Sequence, residues 1–341
     1  MAVGPLRPTS SAEIYELLER GEISVSQALG LFAQVEGEPP PAPRPQPAPR
    51  QTGAVAVRPE CEPGDSGRAE EVLRELDQLV GLTEVKSLVH EIRAYIEIQR
   101  RRQRENLLAE PMALHMVFSG NPGTGKTTVA RLLARLFKEL GVLQKGHLVE
   151  VERADLVGEY IGHTAQKTRE QIRRALGGIL FVDEAYSLGR GGEKDFGREA
   201  IDTLVRAMEE NRDNLVIILA GYQREMRQFM QLNPGLKSRF PIQLAFRDFT
   251  LDELMLIADQ MLQKRQYRLC DDARFELAAQ LKARLAAGDD SAGNARLVRN
   301  LVERAVRRQA VRLVGQRDLR REDLVLITRD DIAAAASGCG L

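Results

Sequence analysis

The 341-residue sequence has no net charge, few cysteines and no long apolar run, and each shortage excludes something. Its 49 basic and 49 acidic residues cancel, so bulk electrostatics argues for neither a nucleic-acid nor an anionic-membrane partner. The basic run from Arg100 to Arg104 continues a helical pattern from Leu82 to Leu108 and reads as a solvated helix face. The three cysteines, Cys61, Cys270 and Cys339, are scattered and odd in number. They show no disulfide framework and no metal spacing, which suits a reducing compartment. The opening MAVGPLRPTSS lacks the apolar centre of a secretory signal, and no window reaches the length of a membrane span. The expectation is a cytoplasmic protein. No internal repeat is visible.

What is present divides into regimes. Residues 1–36 contain a small helical hairpin: Ile14, Leu17 and Leu18 share one face, Gly21 stops the first helix, and Ser24 with Gln27 resembles a capping box for the second. A hairpin this small needs a partner surface, so it is a candidate interaction module. Residues 37–67 are a linker whose prolines, dense from Pro39 to Arg50, favour an extended semi-rigid spacer; a P-x-x-P ligand is the other reading. From residue 68 to 247, strand-length apolar runs alternate with helical patterns. The runs are Leu114–Phe118, Leu148–Val151, Ile179–Val182, Leu215–Ala220 and Ile242–Phe246. That alternation predicts an α/β domain, a parallel sheet with helices on both faces. From 248 to 318 the strand signals nearly vanish and a smaller all-helical domain is expected, followed by a C-terminal extension over 319–341.

The loop after the first run reads GNPGTGKTT, from Gly120 through Asn121, Pro122, Gly123, Thr124, Gly125, Lys126 and Thr127 to Thr128. It fits the phosphate-loop pattern and stands between a strand and a helix, the context that pattern needs. Glycines let backbone N–H groups turn toward phosphate oxygens, and the helix N-terminus adds positive potential. Lys126 would reach the β- and γ-phosphates of a nucleotide, and the Thr127 hydroxyl would ligate Mg²⁺. The run Ile179–Val182 ends in Asp183-Glu184. Carboxylates at the carboxyl end of a buried strand sit where such sheets bind ligands. Asp183 would hold Mg²⁺ through water, and Glu184 would serve as general base. A GTP-binding switch would carry an N-K-x-D motif, and none is present.

These segments, with LVGLTEVK at 79–86, DLVGEYIGHTAQKTRE at 155–170, NPGLKSRF at 233–240 and GNARLVRNLVERA at 293–305, resemble the AAA+ ATPases. Within that family the sequence is most similar to the stage V sporulation protein K and red-type Rubisco activase group, the sporulation branch being the nearer. The resemblance runs from about residue 70 to 316. It implies a P-loop NTPase fold with a helical lid, ATP and Mg²⁺ as cofactors, and a homo-oligomeric, hexameric ring acting on a protein substrate. It implies that Val80, Gly81 and Leu82 contact the base, that Arg239 points at a neighbour's nucleotide, and that Arg296 is a lid sensor of the γ-phosphate. On residues alone, Arg239 reads rather as an ordinary surface arginine before a strand, and Arg296 can be read as an ordinary helix arginine. The family's polar sensor at the end of the strand Leu215–Ala220 is replaced by Gly221-Tyr222.

Tyr160, Ile161 and Gly162 stand together on a loop. The resemblance places them in a ring's central channel, where an aromatic and an aliphatic side chain would grip an extended polypeptide. The residues alone also allow Tyr160 to be a buried loop anchor. Three functions compete: a ring ATPase that remodels a protein, including a Rubisco-activase version; a nucleic-acid-directed motor or loader; and a nucleotide-dependent assembly switch. Zero net charge and an aromatic loop count against the second. Glu184 and Arg239 count against the third.

Overall fold

The computed structural model describes residues 66–109, 112–160, 162–190, 196–232, 234–286, 293–316 and 318–337. The hairpin expected within 1–36 and nearly all of the linker, 37–65, lie outside the described residues, as does Ile161. The linker's last two residues, Ser66 and Gly67, open the first described helix, α1 (Ser66–Asp77).

The sheet is built of β1 (Met116–Gly120), β2 (Leu148–Val151), β3 (Ile179–Val182), β4 (Val216–Gly221) and β5 (Ile242–Phe246), in the order β2-β3-β4-β1-β5 and parallel throughout. All five strands overlap the predicted apolar runs, β1 lying two residues and β4 one residue further along the chain than its run. β3 and β4 are buried at every residue, whereas edge strand β5 alternates buried and exposed. A parallel sheet covered by helices on both faces needs continuous apolar strands at its centre, and only its edge tolerates alternation.

Two apolar layers result. Met116 and Phe118 of β1 face one, and Val117 faces the other, because neighbouring strand residues point to opposite sides. The first layer is closed by α1, α2 (Thr83–Arg104) and α3 (Lys126–Glu139), around Phe118, Phe137 and Phe246. The second is closed by α5 (His163–Ala175), α6 (Gly197–Glu210) and α7 (Gln223–Leu232), with Leu204, Met208 and Phe229 inside. A short α4 (Arg153–Leu156) follows β2, and α8 (Pro234–Arg239) precedes β5.

Beyond β5 comes a separate apolar cluster made by α9 (Leu251–Lys264), α10 (Asp271–Ala286), α11 (Asn294–Val314) and α13 (Arg329–Ser337), with α12 (Arg321–Val325) between the last two. Two features depart from the sequence reading. A two-residue parallel ladder, β6 (Arg268–Leu269) with β7 (Leu326–Ile327), lies within the helices. Two residues are too few for any alternation to show. The segment read as an extension beyond 318 packs into the helical cluster through Ile327, Ile332 and Ala335. Asp331, 2% exposed, accepts from Arg312 Nε and Nη2 at 3.0 and 2.9 Å, and from Thr328 N and Oγ1 at 2.9 Å. This pair, a buried carboxylate with a partly buried guanidinium, ties α13 to α11. The run of alanines in α13 gave no hint of it.

His115, just before β1, is 5% exposed, and its Nδ1 accepts from Ile217 N at 3.0 Å. Burial, with a smaller contribution from the Arg212 charge, lowers its pKa to about 4. The folded chain thus holds His115 neutral where an unfolded chain, at about 6.5, would bind a proton. Its contribution to stability is complete above 6.5 and is lost as the pH falls toward 4. Between pH 7.5 and 5 the expected loss from this residue is about 2 kcal/mol. Urea unfolding of the parent and His115→Asn at both pH values measures it: the asparagine retains an acceptor without titrating. Equal pH sensitivity in the two proteins would refute the assignment.

Candidate nucleotide site

β1 delivers the chain to the loop at Gly120, and α3 takes it away at Lys126. Between them the loop folds on itself: Thr124 is buried and its Oγ1 donates to Asn121 O at 2.8 Å. Gly123 has φ +75°, and a Cβ there would stand 2.4 Å from Gly293 O and 2.9 Å from Arg296 N. A left-handed backbone and the close approach of the head of α11 both require glycine. Gly125, at φ +98°, turns the chain into α3 without any side-chain cap, so the first N–H groups of that helix face the cleft.

A cleft of about 380 Å³ opens over this loop. Lys126, Thr127 and Thr128 form its floor, together with the glycines Gly120, Gly123 and Gly125. Lys126 Nζ donates to Gly120 O and Asn121 O, each at 2.8 Å. Burial lowers the Lys126 pKa, Arg296 lowers it further, and the carboxylates of Asp183 and Asp248 pull the other way. A partly buried cation beside another cation gains from an anion, which is what a phosphate brings.

Asp183 and Glu184 form the wall at the end of β3. Asp183 N extends the ladder to Val151 O at 2.9 Å, and its Oδ1 accepts from Glu184 N at 3.0 Å. Glu184 has φ +47°, a left-handed conformation rare for a residue with a side chain, and turns the strand abruptly into a 3-10 turn, Ala185–Gly189. Behind it lies Tyr186, whose hydroxyl is pushed up to about 12 by burial and by the Glu184 charge. Its ring lies under the Arg190 guanidinium at 4.6 Å and 6.0 Å from the Tyr222 ring. Nothing in sequence spacing marked Tyr186.

The remaining wall comes from other elements. Tyr222, which follows β4, lines the cleft where the family's polar sensor is expected. Arg296 and Arg299, three apart on one face of α11, line it from the lid, and Arg131 from α3. In sequence Arg299 reads as an ordinary helix residue; its spacing from Arg296 is the available signal. Val80 and Leu82 pack against the lid cluster, and the Leu82 side chain lies beside Gly125. Gly81, at φ +64°, approaches Glu253 and Phe249 of the lid. A second cavity, about 220 Å³ and lined by Leu82, Ala245, Phe249 and Thr250, adjoins this segment. The residues present therefore fit a magnesium nucleotide: cations and backbone donors for phosphate, and hard oxygen donors in Thr127 and Asp183 for the metal.

Arg239 is not among the residues lining the cleft of its own chain. It ends α8, with its Nε donating to Glu209 Oε1 at 3.1 Å and its Nη1 to Gly235 O at 3.0 Å. The loop between α4 and α5 is equally remote. Its base is fastened: Gly158 N donates to Thr164 Oγ1 at 3.0 Å, and Thr168 Oγ1 to Leu156 O at 3.0 Å. Among the described residues, its tip is exposed at Tyr160. Tyr160 is 67% exposed, its ring meeting the edge of the His163 ring at 5.6 Å. The buried-anchor reading of Tyr160 is therefore excluded. Gly162, φ +83°, caps α5 with open space around it.

Residues 116–248 match the family described as "ATPase family associated with various cellular activities (AAA)", and residues 250–339 match the "AAA lid domain". The chain is 50% identical over 275 residues to stage V sporulation protein K of Bacillus subtilis (strain 168), covering 80% of this chain and 85% of the relative. It is 49% identical over 247 residues to protein CbbX of Cereibacter sphaeroides, covering 72% and 79%. To the chloroplastic ribulose bisphosphate carboxylase/oxygenase activase of Cyanidioschyzon merolae it is 46% identical over 267 residues, covering 77% and 90%. Among solved structures, a point mutant of Thermotoga maritima RuvB is similar in fold, with a TM-score of 0.50 at 20% identity, covering 77% of this chain and 71% of that one.

Proposed function

This chain belongs to the AAA+ ATPases, with an AAA domain followed by its lid, and on that premise we propose that it is a Mg²⁺-dependent, ring-forming ATPase that remodels a protein substrate. The observation that carries the reading is the convergence of Lys126, Thr127, Asp183, Glu184 and Arg296 on one cleft. Lys126 and the loop N–H groups hold the β- and γ-phosphates. Thr127 and Asp183 hold Mg²⁺, which offsets phosphate charge when bound. Glu184 takes a proton from the attacking water. Arg239, outside its own chain's cleft, serves the cleft of a neighbouring copy. Tyr160, exposed on a loop fastened at its base, is the element that grips substrate. The similarity to stage V sporulation protein K supports a sporulation-related role; the similarity to the chloroplastic activase supports a Rubisco-activating version of the same work.

A Glu184→Gln trap tests this, purified with ATP with and without Tyr160→Ala. Protein is expected to be retained in an ATP-dependent manner and lost with Tyr160→Ala. That substitution should leave stability within about 0.5 kcal/mol, as for an exposed residue. Tyr160→Phe should restore retention, because the grip uses the ring and not the hydroxyl. Retention of nucleic acid in place of protein would defeat the proposal, as would retention indifferent to Tyr160.

A further inference from the structure

The end of the AAA match at Asp248 and the start of the lid match at residue 250 bracket a polar junction. Asp248 accepts from Asn121 Nδ2 with both carboxylate oxygens, at 3.1 and 2.9 Å. The same Oδ1 accepts from Asn294 Nδ2 at 2.8 Å. Asn294 opens α11, and its own Oδ1 accepts from Phe249 N at 2.9 Å. Asn121 belongs to the phosphate loop, Asp248 to the exit of β5 and Asn294 to the lid helix. Three elements far apart in sequence are thus joined through one carboxylate. Backbone contact runs beside it, with Ala295 N donating to Gly123 O at 3.2 Å. Asn294 holds φ +44°, a left-handed conformation that asparagine tolerates better than most residues.

Two residues after Asn294 comes Arg296, and one turn further Arg299, both on the cleft. A change at the head of α11 therefore moves both guanidiniums relative to the loop. We propose that Asp248 is a positioning residue, which sets the register of the lid arginines over the phosphate loop by accepting from Asn121 and Asn294 together. The proposal rests on the reading of the cleft as an ATP site. The donor–acceptor pattern suits a carboxylate: both asparagines present NH₂ groups, and the residue between them offers two acceptor oxygens and no donor to oppose them. The carboxylate also lies close enough to act on the Lys126 charge.

The test uses the full chain and steady-state ATPase kinetics on Asp248→Asn, Asn294→Asp and the pair combined. Asp248→Asn sets an amide against two amides and should lower kcat about tenfold or more, with KM changed less than about threefold, since the phosphate loop itself is intact. Asn294→Asp sets two carboxylates together and should lose at least as much. The double variant reverses the polarity: the new asparagine accepts from Asn121 and donates to the new aspartate. It should recover to within about threefold of the parent, as expected for residues coupled through one hydrogen bond. Asp248→Ala provides a second arm, because alanine can neither accept nor donate. It should lose kcat similarly and gain nothing from Asn294→Asp. An active parent with an unaffected Asp248→Asn would overturn the proposal alone, as would a double variant no better than the singles. Recovery of Asp248→Ala by Asn294→Asp would also overturn it. A parent without ATPase activity would instead overturn the reading of the cleft.

Discussion

Arg239→Ala is expected to lower the ATPase rate on the order of a thousandfold, while nucleotide affinity changes little. The reason is positional. Within its own chain, Arg239 bonds to Glu209 and Gly235 and takes no part in lining the cleft that holds Lys126. A guanidinium there can neutralise charge on a transferring γ-phosphoryl group only in another copy's cleft. Activity of the parent should therefore rise more than proportionally with protein concentration. Mixing provides the decisive arm. Arg239→Ala keeps an intact cleft but supplies no arginine; Lys126→Ala supplies the arginine but has lost the cleft's lysine. Each is inactive alone. At a mixed interface the Lys126→Ala copy presents its Arg239 to the intact cleft of the other, and some turnover should return. Full activity in a demonstrable monomer, or mixtures no better than their components, would reject the assignment.

The parts of this site that were legible in sequence are those whose chemistry is local. Gly120 to Thr128 is one contiguous loop, and its flanking strand and helix announce themselves by apolar spacing. Asp183 and Glu184 follow four buried residues of β3, so both their identity and their place at the carboxyl end of a strand could be read. The junction around Asp248 could not. Its partners Asn121 and Asn294 are brought to it by the sheet and by the lid, and a short polar residue between a strand and a helix is unremarkable in sequence. Tyr222 and Arg299 share that difficulty, since only folding shows that they border the cleft. Tyr160 is a different case. An aromatic residue on a loop is either anchor or handle, and only its exposure separates the two. That the sheet would be parallel was implicit in the alternation of strands and helices; its strand order was not. The β6–β7 ladder was not, because two residues carry no period, and the packing of α13 was obscured by its run of alanines.

Glu184→Gln should bind ATP with affinity near that of the parent and turn it over some 10²–10⁴-fold more slowly. Lys126, the loop N–H groups, Thr127 and Asp183 are untouched by this substitution, so the groups proposed to hold phosphate and metal remain. The amide occupies the same volume at a residue whose left-handed backbone is fixed by the turn into Ala185–Gly189. It cannot take a proton. Binding and turnover should therefore separate in this variant. Lys126→Ala, which removes the cation beneath the phosphates, should impair binding first. The Tyr186 hydroxyl provides an internal check, because the Glu184 charge contributes to its raised pKa. With glutamine at 184 that charge disappears, and the Tyr186 phenol should titrate lower, toward the value set by burial and its Arg190 and Tyr222 neighbours. Ultraviolet difference titration at alkaline pH, with Tyr186→Phe to assign the signal, would report it independently of turnover. Parent-like hydrolysis by Glu184→Gln would remove Glu184 from the role of base. A shifted Tyr186 titration in that same protein would show that the carboxylate had been where the structure places it, and that the proton leaves the water by another route.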